Sequence, residues 1–144
     1  MIFQWWQTRD IAAGPAPELA GELLTGNPVT IASYQGQPLL VHFWAEWCPV
    51  CRAEESTINS LAEGYQVLTV ATNSGDADDV RKYMQENELS FPVLIDEDGL
   101  IAWQWGIRGV PSSFIIDRQG QIESIAVGYT TGIGLRLRMW MAKR

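Results

Sequence analysis

The sequence predicts one α/β domain: a mixed central β-sheet flanked by helices on both faces. Three observations lead there. Short apolar runs alternate with amphipathic stretches at helical spacing. The last two runs are separated by only a turn, so they read as an antiparallel hairpin. A chain of 144 residues with 47% hydrophobic content makes one ordinary domain with a substantial core.

The elements follow in order. Residues 29–32 read as a short strand and 35–38, Gln-Gly-Gln-Pro, as a turn. Leu39 to Trp44 is apolar apart from His42 and reads as a buried central strand. A helix over 48–63 turns Ile58, Leu61 and Ala62 inward and ends at Gly64. Residues 67–71 form a second buried strand. A helix over 76–87 carries acids in its first turn and sets Val80, Tyr83 and Met84 at helical spacing. Residues 91–95 give another strand, closed by an Asp98-Gly99 turn. Strands over 114–117 and 122–127 flank Arg118-Gln119-Gly120 as a hairpin. A final helix over 131–144 places Arg136, Arg138, Lys143 and Arg144 in its C-terminal half, where cations suit the dipole.

One motif carries chemistry. The only two cysteines are Cys48 and Cys51, in Cys48-Pro49-Val50-Cys51, at the junction of the central strand and its helix. Two thiols so spaced at a helix start suit reversible disulfide exchange. The first meets the free N–H groups and positive dipole end of the helix, which favour a thiolate. The second lies one turn on. A structural zinc site needs about four Cys or His ligands, and His42 is the only histidine. A purely structural disulfide closing so short a loop would constrain the unfolded chain little.

Composition narrows the partners. A formal charge of −7 and a pI near 4.6 argue against nucleic acid and give no basic patch for anionic lipid. No apolar stretch approaches the roughly 20 residues of a membrane helix. Residues 1–17 read as a separate N-terminal segment. Met1-Ile2-Phe3-Gln4-Trp5-Trp6 is apolar and aromatic and gives way to a loose Ala-Gly-Pro stretch. Tryptophans at such a boundary match the interfacial belt of a membrane helix. We expect a membrane anchor to precede this segment, with the domain proper at 18–144. A segment packed on the fold is the equal alternative.

Five stretches carry a family resemblance: 36–38 (Gly-Gln-Pro), 43–54 (Phe-Trp-Ala-Glu-Trp-Cys-Pro-Val-Cys-Arg-Ala-Glu), 91–94 (Phe-Pro-Val-Leu), 106–111 (Gly-Ile-Arg-Gly-Val-Pro) and 114–120 (Phe-Ile-Ile-Asp-Arg-Gln-Gly). With these the chain resembles the thioredoxin superfamily, and within it the membrane-tethered TlpA/ResA/DsbE-like branch of bacterial periplasmic proteins. Among named members it is similar to the thioredoxin-like protein of the suppressor-of-copper-sensitivity group. The resemblance implies a thioredoxin-like fold. It also implies a monomeric protein-disulfide oxidoreductase without a cofactor, tethered to the inner membrane and facing the periplasm. A transmembrane reductase of the DsbD type would supply its electrons.

Carried over by residue, the resemblance makes Cys48 an exposed nucleophile and Cys51 a buried resolving thiol. It makes Pro111 a cis-proline facing the disulfide. Val110 then lines the substrate groove, and Trp47 is a docking surface. Surface shape near Trp47, Val110 and Trp105 is expected to set specificity. Only the resemblance selects Glu54 over Glu55 as the acid near the pair, since both lie one turn beyond Cys51. His42 departs from the family, which places Asp or Asn at this strand position. A histidine there could relay the Cys51 proton or sit as a satisfied core residue.

Direction rests on electrostatics. The helix start stabilises a Cys48 thiolate by roughly 0.3–1 kcal/mol, and Glu46 and Glu54 oppose it. A weakly stabilised thiolate makes a reducing couple, so a reductase is expected. The span is wide: thioredoxin lies near −270 mV and DsbA near −120 mV. A disulfide oxidase or isomerase would use the same residues. A third reading is a Cu(I)-binding module of a copper-tolerance system, through the thiols with Met139 and Met141.

Overall fold

A computed structural model of the chain describes residues 14–34 and 36–143. Residues 1–13 of the expected N-terminal segment, 1–17, lie outside them. Among the described residues seven strands form: β1 (Ala20–Glu22), β2 (Pro28–Thr30), β3 (Leu39–Trp44), β4 (Gln66–Thr72), β5 (Val93–Asp96), β6 (Ser112–Ile116) and β7 (Ile122–Val127). Four α-helices accompany them: α1 (Pro49–Leu61), α2 (Ala77–Glu86), α3 (Leu100–Gln104) and α4 (Gly132–Ala142).

The main sheet runs β5-β4-β3-β6-β7. β3 pairs parallel with β4, and β4 with β5, because helices α1 and α2 provide the crossovers that parallel neighbours need. β6 pairs antiparallel with both β3 and β7, so the sheet is mixed as expected. All six residues of β3 are buried, the signature of a strand covered on both sides. Leu40 and Trp44 face a core built with Ile58, Leu61, Val80, Met84, Leu135 and Met139. Val41 and Phe43 face the opposite core, with Leu68, Val70, Phe114 and Ile122.

Trp105 corrects an expectation. The sequence suggests a place at the surface near the thiols, but Trp105 is buried, with its ring centroid 5.6 Å from Phe43 and 4.9 Å from Phe114. A ring of that size finds more apolar contact between two aromatic partners than beside a groove.

The first expected strand is shorter and differently placed. β2 stops at Thr30, and Ile31–Tyr34 forms a short 3₁₀ helix. Ser33 explains the change, since its Oγ accepts the Thr30 backbone N–H at 3.4 Å and lies 3.1 Å from Thr30 Oγ1. Such local side-chain bonds compete with a strand ladder. Two further elements, β1 and α3, carry no strong sequence pattern. α3 follows the Asp98-Gly99 turn because the buried Asp96 carboxylate accepts the N–H groups of Ile101 and Ala102 at 2.9 and 3.0 Å. These are the orphan donors of a helix start.

Residues 14–16 already join the fold. Ala16 N–H donates to Gly120 at 2.9 Å, and Ile122 N–H to Gly14 at 3.1 Å. No helix among the described residues is long and apolar enough to cross a membrane.

α2 starts at a reciprocal cap. Asp76 Oδ1 accepts the Asp79 N–H at 3.0 Å, and Asp79 Oδ2 accepts the Asp76 N–H at 3.1 Å. Asp76→Ala removes the first bond and frees an orphan donor, so it should lower stability by about 1 kcal/mol. Urea unfolding should show this as a lower midpoint at unchanged slope. An unchanged midpoint would mean that water replaces the cap at no cost.

Candidate active site

The site sits beyond the C-terminal ends of the parallel strands, where β3 passes into α1. Cys48 is the N-cap of α1 with extended backbone, and Pro49 takes the first helical position, where its missing N–H costs nothing. Cys48 Sγ accepts the Cys51 N–H at 3.2 Å. The first thiol thus does for this helix what a serine or aspartate oxygen does elsewhere. Both cysteines are free thiols.

The loop before Cys48 is pinned from three sides. Glu46 N–H donates to Ser74 Oγ at 3.0 Å, Trp47 Nε1–H to the Asn73 carbonyl at 3.0 Å, and Arg52 Nε–H to the Glu46 carbonyl at 3.0 Å. These bonds leave the Trp47 ring 60% exposed beside the thiol. From the other side comes the loop before β6. Its Val110–Pro111 peptide bond is cis, and the Val110 carbonyl accepts the Cys48 thiol at 3.6 Å.

This cover corrects one expectation. Cys48 is not freely exposed: it keeps 5% of its surface and Cys51 1%. The Val110 carbonyl covers the first thiol, while Trp47 and Val50 nearby in the chain stay exposed.

Cys51 lies on the buried face of α1, and its thiol is pushed up to about 12. Burial is the largest cause, followed by sharing of its hydrogen with Cys48 and by the negative charge of Glu54. Glu54 is itself buried, one turn further along α1. Its Oε1 accepts the Thr130 N–H at 2.7 Å, while Oε2 is buried without a partner among the described residues. Burial raises the Glu54 carboxyl above its usual range, and the Thr130 bond pulls the other way. Glu55, which sequence spacing could not separate from Glu54, points elsewhere and accepts a hydrogen bond from the Tyr83 hydroxyl.

His42 is buried on β3, on the same side as Leu40 and Trp44 and therefore on the α1 side. Its Nδ1 lies 2.8 Å from Ser113 Oγ, opposite it in the β3–β6 register. Sequence reasoning missed both Ser113 and Thr130. Neither follows a pattern of its own, and each becomes a partner only once the sheet order brings it across 71 or 76 positions. Met139 is buried on the inner side of α4 and Met141 is exposed, so the two do not converge on the thiols.

A family model described as AhpC/TSA family matches residues 12–125. The chain belongs to the AhpC/TSA family. Within this thioredoxin-like family, the chain is similar to a thioredoxin-like protein of Haemophilus influenzae, 37% identical over 122 residues that cover 83% of this chain and 72% of that one. It is also similar to the thiol:disulfide interchange protein DsbE of Tatumella citrea, 35% identical over 82% of this chain and 73% of the relative. Among solved structures, a putative DsbE of Chlorobium tepidum superposes with a TM-score of 0.80 at 28% identity, over 90% of this chain and 96% of that one. The thioredoxin-like fold is confirmed. This AhpC/TSA member is a thiol-disulfide oxidoreductase.

Burial pushes the His42 imidazole down from 6.5 to about 4. The unfolded chain binds a proton at His42 as pH falls through 6.5, whereas the folded chain does so only near 4. The folded state is therefore whole above pH 6.5 and loses stability from 6.5 down to about 4. His42→Asn should flatten the stability–pH curve in that window, by up to about 1.4 kcal/mol per pH unit. Urea unfolding at a series of pH values checks this, and an equal slope in both proteins would reject it.

Proposed function

We propose that this oxidoreductase works as a reductase of protein disulfides in the bacterial periplasm, held at the inner membrane by an anchor preceding the N-terminal segment. Cys48 is the nucleophile. Its thiolate attacks one sulfur of a substrate disulfide, forms a mixed disulfide and expels the other substrate sulfur as a thiolate. Cys51 then loses its proton, attacks Cys48 Sγ and closes the internal disulfide, releasing the second substrate sulfur. Two electrons pass to the substrate. A transmembrane donor of the DsbD type then supplies two electrons, reducing the Cys48–Cys51 disulfide by the same kind of exchange.

Glu54 accepts the Cys51 proton in this reading. A thiol pushed up to about 12 needs a base close by, and Glu54 offers a buried oxygen with no other partner. Its raised carboxyl range makes it a better base than an ordinary glutamate. His42 fits the relay less well, because an imidazole held near 4 binds a proton weakly at neutral pH. Its part is to fill and position the strand beneath Cys51. Trp47, Val110 and Pro111 form the substrate contact beside Cys48.

The direction is carried by one observation. Arg52, the only cation close to the motif in sequence, turns to the Glu46 carbonyl and lies over the Tyr83 ring, 6.0 Å from its centroid. Arg52 is thereby turned to other partners than the thiols, which leaves the helix start as the stabilising element on this side, and a less stabilised thiolate gives a more reducing couple.

Equilibration against glutathione or dithiothreitol should place the Cys48–Cys51 couple near about −250 mV or below. A value near about −120 mV would make the protein an oxidase instead. In insulin reduction, Cys48→Ser should abolish turnover and Cys51→Ser should accumulate mixed disulfide. Glu54→Gln should slow release of that intermediate by about 10-fold to 100-fold, as expected for loss of a general base. It should also remove the acidic limb of its pH profile. An unchanged profile would take the proton-accepting role away from Glu54.

A further inference from the structure

The chain is acidic, but its charge is unevenly placed. No Asp or Glu follows Glu123, and four of the ten Lys and Arg residues are Arg136, Arg138, Lys143 and Arg144. α4 therefore carries cations and no acids.

At about 100° per residue, the apolar residues of α4 form two stripes. Leu135, Met139 and Ala142 are buried in the core shared with α1. Ile133, Leu137, Trp140 and Met141 lie on the opposite side and are all exposed, Ile133 at 82%. Arg136 and Lys143 border this outer stripe on one side and Arg138 borders it on the other. Arg136 leans toward the body of the protein, donating to Ser60 Oγ at 3.1 Å.

We propose that the outer face of α4 docks on an anionic phospholipid surface. A bilayer interface offers what this face asks for: an apolar layer for Ile133, Leu137 and Met141, a headgroup zone for Trp140, and phosphates level with the flanking cations. The charge is complementary on both sides of the stripe. A second copy of the chain fits less well, since pairing this face with itself brings Arg136, Arg138 and Lys143 against their equivalents. The inner stripe stays in the core throughout, so α4 docks without leaving the fold. Net charge conceals the site, because the acids that outweigh these cations all lie earlier in the chain.

The test is flotation of the full chain with vesicles of equal phosphatidylglycerol and phosphatidylcholine, against vesicles of phosphatidylcholine alone. The chain should bind the first far more tightly than the second, and added salt should weaken it. Each cation near an anionic surface contributes about fivefold, so Arg136→Gln/Arg138→Gln/Lys143→Gln should weaken binding about 100-fold. Ile133→Ser/Leu137→Ser keeps every charge and should also weaken it, by at least about tenfold. Circular dichroism and the urea midpoint verify that both variants are folded. Absence of binding to the anionic vesicles overturns the proposal. Equal binding by both variants also overturns it and moves the contact to the N-terminal segment, which all these proteins share. A concentration-dependent dimer lost in Ile133→Ser/Leu137→Ser, without vesicle binding, overturns it in favour of a second copy.

Discussion

A sulfur atom caps the redox helix. Cys48 Sγ accepts the Cys51 N–H, so the first turn of α1 depends on the group that does the chemistry. The cap fixes the two thiols one turn apart, the second inside the protein and the first at its edge. It is held by fixed contacts on both neighbours. β3, buried on both faces, delivers the chain to the cap, and the loop from Ala45 to Trp47 is tied to β4's exit through Ser74 and Asn73. Charge on Cys48 strengthens the bond that holds the helix start, so helix geometry and redox state answer to the same atom.

The polar groups under this cap are bought with long-range topology rather than local pattern. Glu54 depends on Thr130, His42 on Ser113, and the roof over Cys48 on Val110, all from beyond residue 100. The antiparallel placement of β6 beside β3 is what assembles them. One half of the domain supplies the thiols, and the other supplies the surroundings that set their behaviour.

This division explains what the sequence reveals and what it hides. β3 and β7 are readable to the residue because each is an unbroken apolar or alternating run between turns. The thiol pair, the helix start and the cis-proline position are readable because each lies in a compact motif. β1 and α3 are hidden because they are short and held by distant contacts, Gly21 against Leu94 and the α3 donors on Asp96. Trp105 was misplaced for a related reason: a tryptophan near a site reads as a binding surface until its aromatic neighbours are known. Glu54 and Glu55 are adjacent in sequence yet diverge, one beneath the thiols and one on Tyr83, and only the packing of α2 against α1 separates them.

Pro49 and Val50, the two residues enclosed by the thiol pair, both turn their side chains to solvent. Neither contributes to either core. The dipeptide between the thiols is thus uncoupled from the packing of both cores. Substitution at Val50 can alter the surface beside the thiols while leaving both cores untouched.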